Sequence, residues 1–346
     1  MAISFSGTKL PQSQIEEIQS EIYSDWGTFR DRDVTINENH KSGSEVYETK
    51  IGVTASAYTS AAVTTSGNIE ASVSRSVVNT VKVEFSDTVD FNNLLNTRFE
   101  RSMQAGAFNL VSTEFDNKVL QYISPAISQS METMIWDGAT TAQKSAIAAL
   151  TPGATQGFIS ASAQTLVAAM PSNLFNSLPA VILYNDSQAK VTPGAGIGDY
   201  YKVVGTTVTS SNIAAEYAKI FAMINPKVLN DTLNPPIIYA PLGDRQLMRI
   251  ANNSVGAASN QNFLFDGDGL QAKAYYNGVE VKFKPLVGFR IASPAAYLHI
   301  LCDLLDDRNI LETGKMANGA DLMYYKNVQA FATWCTNQRY IVLYNG

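Results

Sequence analysis

Chemistry in this chain would have to come from a small set of residues. It has two histidines, His40 and His299, and two cysteines, Cys302 and Cys335. Imidazole is the side chain that shuttles protons or ligates metals near neutral pH. His40, however, lies in a polar stretch and His299 in an apolar, strand-like run, so a core histidine with satisfied ring nitrogens is the reading for His299. The cysteines form no Cys-x-x-Cys pair and match no metal spacing. They read as small buried side chains. No Gly-x-Ser-x-Gly elbow anchors a hydrolase triad. Gly194, Gly196 and Gly198 resemble a phosphate loop only superficially, because the Gly-Lys-Ser/Thr of a Walker loop is absent. Asp266-Gly-Asp268-Gly lacks the spaced oxygens and terminal Glu of an EF-hand and reads as a turn. Glu114 with Asp116, and Asp303 with Asp306 and Asp307, could be paired carboxylates, but a helix start and a solvated turn account for them. No catalytic residue, cofactor site or metal ligand is assigned.

Composition points the same way. Of the 346 residues, 45% are hydrophobic and only 16% charged, with net charge −6. Globular domains usually carry about a quarter charged residues. A packed core is therefore expected, along with weakly charged surface that partners cover. The negative balance argues against a nucleic-acid groove as the main function. The N-terminus lacks the basic head and apolar run of a signal peptide, and no segment approaches a membrane span, so folding in a cytoplasm is expected.

The elements that would position these residues are organised around one long helix. Phe115, Val119, Tyr122, Ile123, Ile127, Met131 and Ile135 recur at steps of three and four. A cap at Ser112 and a stop at Gly138 bound a helix over Thr113–Trp136, about 36 Å long at 1.5 Å per residue. Pro125 inside it predicts a kink. Phe91, Leu95, Phe99 and Met103 predict a shorter helix before it.

Upstream, residues 1–44 read as a polar arm with little core of its own. A short helix over Gln12–Tyr23 carries Ile15, Ile18 and Ile22, and Trp26 and Phe29 follow in a loop. Between 45 and 86 two alternating runs flank a Ser/Thr/Gly-rich tip at Thr59–Asn68. The first holds Tyr47, Ile51 and Val53, and the second runs from Ile69 through Val77 and Val83 to Phe85. This predicts a β-hairpin whose arms exceed the usual strand of about 5–6 residues. A two-stranded ribbon of that length is marginal alone in water. It must therefore lie across another molecule or another part of the chain.

Downstream the pattern is mixed. Helices are expected at Gln164–Met170, Ser211–Ile224 and after Pro241, and buried strands at Ala180–Tyr184 and Ile237–Ala240. Asp186–Lys190 reads as a short helix or turn, and Thr192–Gly198 and Asn252–Gly269 as loops. An Asn277-Gly278 turn leads into a strand, and Phe289–Ala292, Tyr297–Cys302, Leu322–Thr333 and Arg339–Tyr344 close the chain as β. The fold class is α+β.

In this order (arm, long hairpin, long helix, mixed segment, returning strands) the chain resembles the major capsid proteins of tailed bacteriophages, the HK97-type shell fold. Glu132-Thr-Met-Ile-Trp-Asp-Gly138 is similar to the end of that family's spine helix. Pro236-Ile-Ile-Tyr-Ala-Pro241 is similar to the middle of its A domain. Tyr276-Asn-Gly-Val-Glu-Val through Ala292-Ser-Pro, Leu298 and Asp303 resembles its closing strands, and Val328–Tyr344 its last peripheral strands. The resemblance implies an N-terminal arm at 1–44, an E-loop hairpin at 45–86, a peripheral domain at 87–140 with 291–346, and an axial domain at 141–290. It implies a non-enzymatic subunit forming hexamers and pentamers of an icosahedral virion head around double-stranded DNA, assembled in the host cytoplasm without a membrane. Portal, scaffold or decoration proteins are the implied partners, with DNA contacted non-specifically on the inner face. Because the hairpin begins by Glu45, a separate scaffold, or none, is expected. Lys50 and Lys82 lie in the region from which some members form a Lys–Asn cross-link, but neither is at the tip and a solvated ribbon lysine is expected. An encapsulin-like nanocompartment, which shares the fold, is the alternative.

Overall fold

The structure, a computed structural model, describes residues 27–38, 40–53, 69–90, 113–150, 160–188, 201–254, 263–267, 272–302, 310–315 and 322–346. Expectations for the Gln12–Tyr23 helix, Trp26, the hairpin tip, the Phe91–Met103 helix, the Ser112 cap and the Gly194 loop fall outside these residues.

Two sheets form the body. The first is five-stranded and built on one long strand, β13 (Leu322–Cys335). Along one edge β4 (Val81–Asp90) pairs antiparallel over ten residues. The other edge is shared end to end by β12 (Ile310–Lys315) and β11 (Leu298–Cys302), both antiparallel to β13. β1 (Thr35–Glu38) adds a parallel edge on β11. The second sheet is seven-stranded and mixed. Its order is β5 (Tyr201–Val204), β14 (Val342–Asn345), β10 (Phe289–Pro294), β6 (Pro236–Pro241), β9 (Val279–Lys284), β8 (Lys273–Tyr276), β7 (Phe263–Asp266). The chain's last strand thus stands in the second sheet.

A short helical turn, α1 (Gly27–Arg30), opens the described chain. The long helix α2 spans Thr113–Trp136 with Pro125 inside it. The described stripe positions Ile127, Met131 and Ile135 are buried, as the apolar spacing required, and Trp136 beside them is buried as well. It stops at Gly138, whose φ of 125° only glycine adopts readily; a Cβ there would also overlap the Asn173 amide at 1.9 Å. Asn173 Nδ2 donates to the Asp137 carbonyl at 2.9 Å and the Met134 carbonyl at 3.3 Å, satisfying two end carbonyls of the helix. Two short helices follow, α3 (Thr141–Ala148) and α4 (Ala161–Ala169), capped by the Thr140 and Ser160 hydroxyls.

The α+β class holds, with local corrections. Ala180–Tyr184 is not a strand; it belongs to a helix, α5 (Leu178–Gln188). Ala180, Val181, Ile182 and Leu183 are all buried, and a helix enclosed on every side loses the amphipathic signature that would reveal it. Asn252–Gly269 is not all loop: α8 (Leu242–Ser254) runs into it, and β7 forms within it. β7 pairs antiparallel with the next strand, β8, and its apolar run Phe263–Phe265 is the local signal that the surrounding polar residues masked. The helix expected at Ser211–Ile224 is α6 (Ile213–Met223), followed by the single turn α7 (Pro226–Leu229). Asn277 and Gly278 both have positive φ, 47° and 82°, as a tight hairpin turn needs.

The core continues from one sheet to the other. One cluster joins α2 and α5 to both sheets through Trp136, Leu178, Tyr239, Phe289 and Phe331. A second lies around α6 and β6 through Tyr217, Ile238, Phe263 and Tyr344.

Candidate functional site

Among the described elements, the two-stranded ribbon is the one that pairs with no other part of the body. β2 (Ser44–Val53) pairs antiparallel with β3 (Ile69–Val78) over ten residue pairs. Among the described strands neither pairs with any other. Their outer backbone edges are therefore templates for a further strand. The register groups the residues by type. Tyr47 opposes Arg75, Thr49 opposes Val73, Ile51 opposes Ala71 and Val53 opposes Ile69, whereas Glu48, Lys50 and Gly52 oppose Ser74, Ser72 and Glu70. Tyr47 and Val77 on the first face are 61% and 60% exposed.

The second arm of the expected hairpin is divided. β3 ends at Val78, and after Asn79 and Thr80 the chain resumes as β4, which leaves β2 and joins β13. Val81, Val83 and Phe85 therefore belong to the five-stranded sheet, and Lys82 lies opposite Ala330 there, outside the ribbon. Lys50 lies opposite Ser72 in the ribbon.

The root of the ribbon is fixed. Gly43 (φ 84°) donates its N–H to the Val78 carbonyl at 3.2 Å, and His40 Nε2 meets the same carbonyl at 3.2 Å. Val78 packs on Leu301 and Ala332, with Val46 and Trp334 beside them. The anchorage thus sits at Val46 and Val78, next to the sheet, while Tyr47 and Val77 already face solvent.

Behind this root, residues 27–38 are stitched to the body by buried charges. This corrects the expectation of an arm without core: Thr28, Asp33 and Val34 are buried, and Gly27–Arg30 is helical. The Asp33 carboxylate pairs with Lys282 and Lys284. Lys284 Nζ also reaches Glu132 Oε1 on the long helix at 3.1 Å and lies 5.6 Å from the Trp136 ring centroid. Thr28 donates its N–H to Glu132 Oε2 at 3.0 Å, and its hydroxyl oxygen accepts from Trp136 Nε1 at 2.7 Å and Lys284 Nζ at 3.2 Å. Tyr239 donates its hydroxyl to the Asp33 carbonyl at 2.6 Å. Two lysines and two carboxylates thus neutralise one another where arm, helix and second sheet meet. Sequence reasoning missed this joint because its members lie 104 to 256 residues apart.

A second buried pair holds α8 to β10. Arg290 donates Nε and Nη2 to Asp244 at 2.6 and 2.7 Å, Tyr217 donates to the same carboxylate at 2.7 Å, and the Arg290 guanidinium lies over the Tyr344 ring. Burial and the Asp244 charge push the Tyr217 hydroxyl well above its usual pKa. At the end of the long helix, burial raises the Asp137 carboxyl and outweighs the attraction of Lys144.

Among the described residues, those considered for chemistry are not gathered into a site. His299 is a satisfied core histidine: Nδ1 faces the Asn37 amide nitrogen at 3.4 Å and Nε2 faces the Thr336 hydroxyl at 2.9 Å. Burial pushes its pKa down to about 4. Cys302 and Cys335 are free and buried, as their type suggested. Asp266 is exposed at the end of β7. Glu114 and Asp116 lie in the long helix, their side chains outside the described set; Asp268, Asp303, Asp306 and Asp307 also fall outside it. Among the described residues no group of three or more His, Cys, Asp or Glu is placed to hold a metal, and no helix is long and apolar enough to cross a membrane.

No protein-family model and no curated protein matches the chain. Solved structures do. A chain of the satellite phage P4 procapsid is 12% identical, with 97% of this chain and 99% of that one covered and a TM-score of 0.49. The capsid of a native GTA particle is 9% identical, covering 100% and 94%, with a TM-score of 0.48. The holo-encapsulin complex of Synechococcus elongatus is 7% identical, covering 100% and 92%, with a TM-score of 0.46.

Proposed function

We propose that this chain is a structural shell subunit, a tailed-phage major capsid protein of the HK97 type that self-assembles into the hexamers and pentamers of an icosahedral head around double-stranded DNA. The observation that carries the reading is the β2–β3 ribbon. It is ten residue pairs long and paired within the described chain only to itself, with Tyr47 and Val77 exposed beside its root. A ribbon of this kind gains its order from a neighbouring copy, which covers the apolar face and pairs the open edges. The low charge content fits a subunit covered on several sides.

In this reading the segment before Ser44 is the arm and the ribbon is the E-loop. Residues 87–140 with 291–346, including the long helix and most of the five-stranded sheet, form the peripheral domain and residues 141–290 the axial domain, with the last strand β14 reaching across into the seven-stranded sheet. The joint at Asp33 and Glu132 fixes the angle between helix, arm and axial sheet, so that every copy presents the same edges. Portal, scaffold and decoration proteins are partners of the assembled shell, and DNA meets its inner face without sequence preference. No catalytic step is assigned.

Sedimentation and negative-stain microscopy of the purified chain, alone and with any scaffold encoded beside it, test the proposal. Closed shells of uniform size are expected. A chain that stays monomeric at high concentration under both conditions overturns it. Shells that package a cargo enzyme in place of DNA would assign the chain to nanocompartments.

A further inference from the structure

Two junctions join the ribbon to the body: the turn that ends at Ser44, and Asn79 with Thr80. The contacts at its root are of two kinds. Val46 and Val78 pack on Leu301, Ala332 and Trp334. Apolar packing is non-directional, so this footing settles where the ribbon starts and leaves its angle open. Hydrogen bonds do depend on angle. Two of them cross from the first junction to the second. His40 Nε2 meets the Val78 carbonyl at 3.2 Å, and the Ser42 hydroxyl donates to the Thr80 carbonyl at 3.4 Å. A carbonyl only accepts, so the ring nitrogen facing Val78 carries the proton. Ser42 is exposed and its bond is long, which leaves the shorter contact of the half-buried His40 as the stronger constraint.

His40 also belongs to the body. Its backbone N–H donates to the Cys302 carbonyl at 3.1 Å, just beyond Glu38–Cys302, the last pair of the β1–β11 ladder. One residue thus holds a carbonyl of β11 through its backbone and a carbonyl of β3 through its side chain. Gly43, whose N–H also reaches the Val78 carbonyl, extends the β2–β3 ladder by one step and would tilt with it. From these two bonds we infer that His40 is a positioning residue, a clasp that sets the angle at which the ribbon leaves the body. The leverage is large. A tilt of about 10° at Ser44 carries Val53, nine residues further, about 5 Å at roughly 3.4 Å per residue, which is the spacing from one strand to the next. A neighbouring copy would then meet the ribbon a full strand out of place. That consequence rests on the proposed shell function; the clasp itself does not.

The test measures the angle in the full chain, kept dilute enough to stay dispersed. Nitroxide labels are placed at Lys50→Cys in the ribbon and at Asn253→Cys, an exposed position on α8, and their separation is read by pulsed electron resonance. The native cysteines are buried, and the chain without new cysteines gives the background. His40→Phe keeps a ring and loses the donor. His40→Gln keeps an N–H that can reach the same carbonyl. The clasp predicts that His40→Phe moves the centre of the distance distribution by about 3 Å or more, or doubles its width, and that His40→Gln stays with the parent. A parent-like distribution in His40→Phe, or His40→Gln no closer to the parent than His40→Phe, overturns the inference. If His40→Phe does not fold, His40→Ala takes its place with the same readout. Shell yield is read separately by sedimentation. A tilted ribbon with fewer shells carries the clasp into assembly. A tilted ribbon with unchanged shells upholds the clasp and counts against the ribbon as the assembly contact. An untilted ribbon overturns the clasp and leaves the shell function standing.

Discussion

Lys284 is 5% exposed and Asp33 fully buried, yet the joint they form is held together by charge. Removing one member of such a group leaves its partners buried and unpaired, which costs about 3–5 kcal/mol. Asp33→Asn is therefore expected to lower urea stability by roughly that amount, and Asp33→Leu combined with Lys284→Met to cost distinctly less, because the buried lysine is then removed with its partner and the charges left behind, Lys282 and Glu132, are the more exposed members of the joint. Equal losses in the single and the double variant would deny the joint its ionic character. His299 supplies a pH dependence at the same scale. Its folded pKa of about 4 lies below the unfolded value of about 6.5, so the unfolded chain binds its proton first as pH falls. Its contribution to stability is complete above the unfolded value and is lost progressively down to the folded one. Denaturant titrations across that window are expected to show a shallower fall for His299→Gln than for the parent; identical slopes would contradict this. The residue types at 40, 299, 302 and 335 were readable from local composition. The partners of Asp33 were not, because nothing in the neighbourhood of position 33 points to positions 132, 282 or 284.

Elements were legible where a periodic pattern met a terminator. The long helix is found over Thr113–Trp136, the span its stripe and Gly138 indicated. Alternation revealed both ribbon strands, and the Asn277-Gly278 turn marked the β8–β9 hairpin. Where β3 passes into β4 the alternation runs on through Val77, Asn79 and Val81, so the sequence has no mark where the chain changes partners. That change is decided by β13, more than two hundred residues later. α5 was misread for the converse reason: its described positions, Leu178 to Leu183, are all buried, so no polar face marks its period. The ribbon also yields a prediction about its exposed face. Tyr47→Glu with Val77→Lys alters two solvent-facing side chains and sets each new charge opposite its counter-charge, Arg75 and Glu45, and such surface changes usually move stability by no more than about 0.5 kcal/mol. The unassembled subunit is expected to melt as the parent does while shell formation falls sharply, compared by scanning calorimetry and by sedimentation. Normal shells from this variant would remove the ribbon's first turns from the interface.

At the scale of the whole molecule, the two sheets and the long helix share, among the described residues, a continuous core and a neutralised ionic joint. The ribbon stands outside both, and that contrast was visible in the sequence as two long alternating runs with no third strand nearby. What the sequence could not supply was the footing at Val46 and Val78, which depends on Leu301 and Ala332 meeting them in space. In the proposed reading, assembly rests on completing the ribbon rather than on rearranging the body.

Amide hydrogen exchange along β2 and β3, read in the dispersed subunit and again in the assembled particle, tests this most directly. The account expects residues 48–53 and 69–74 to exchange readily in the dispersed chain and to gain protection of at least about a hundredfold on assembly, an opening free energy higher by roughly 3 kcal/mol. Protection already complete in the dispersed subunit, and unchanged in the particle, would contradict it.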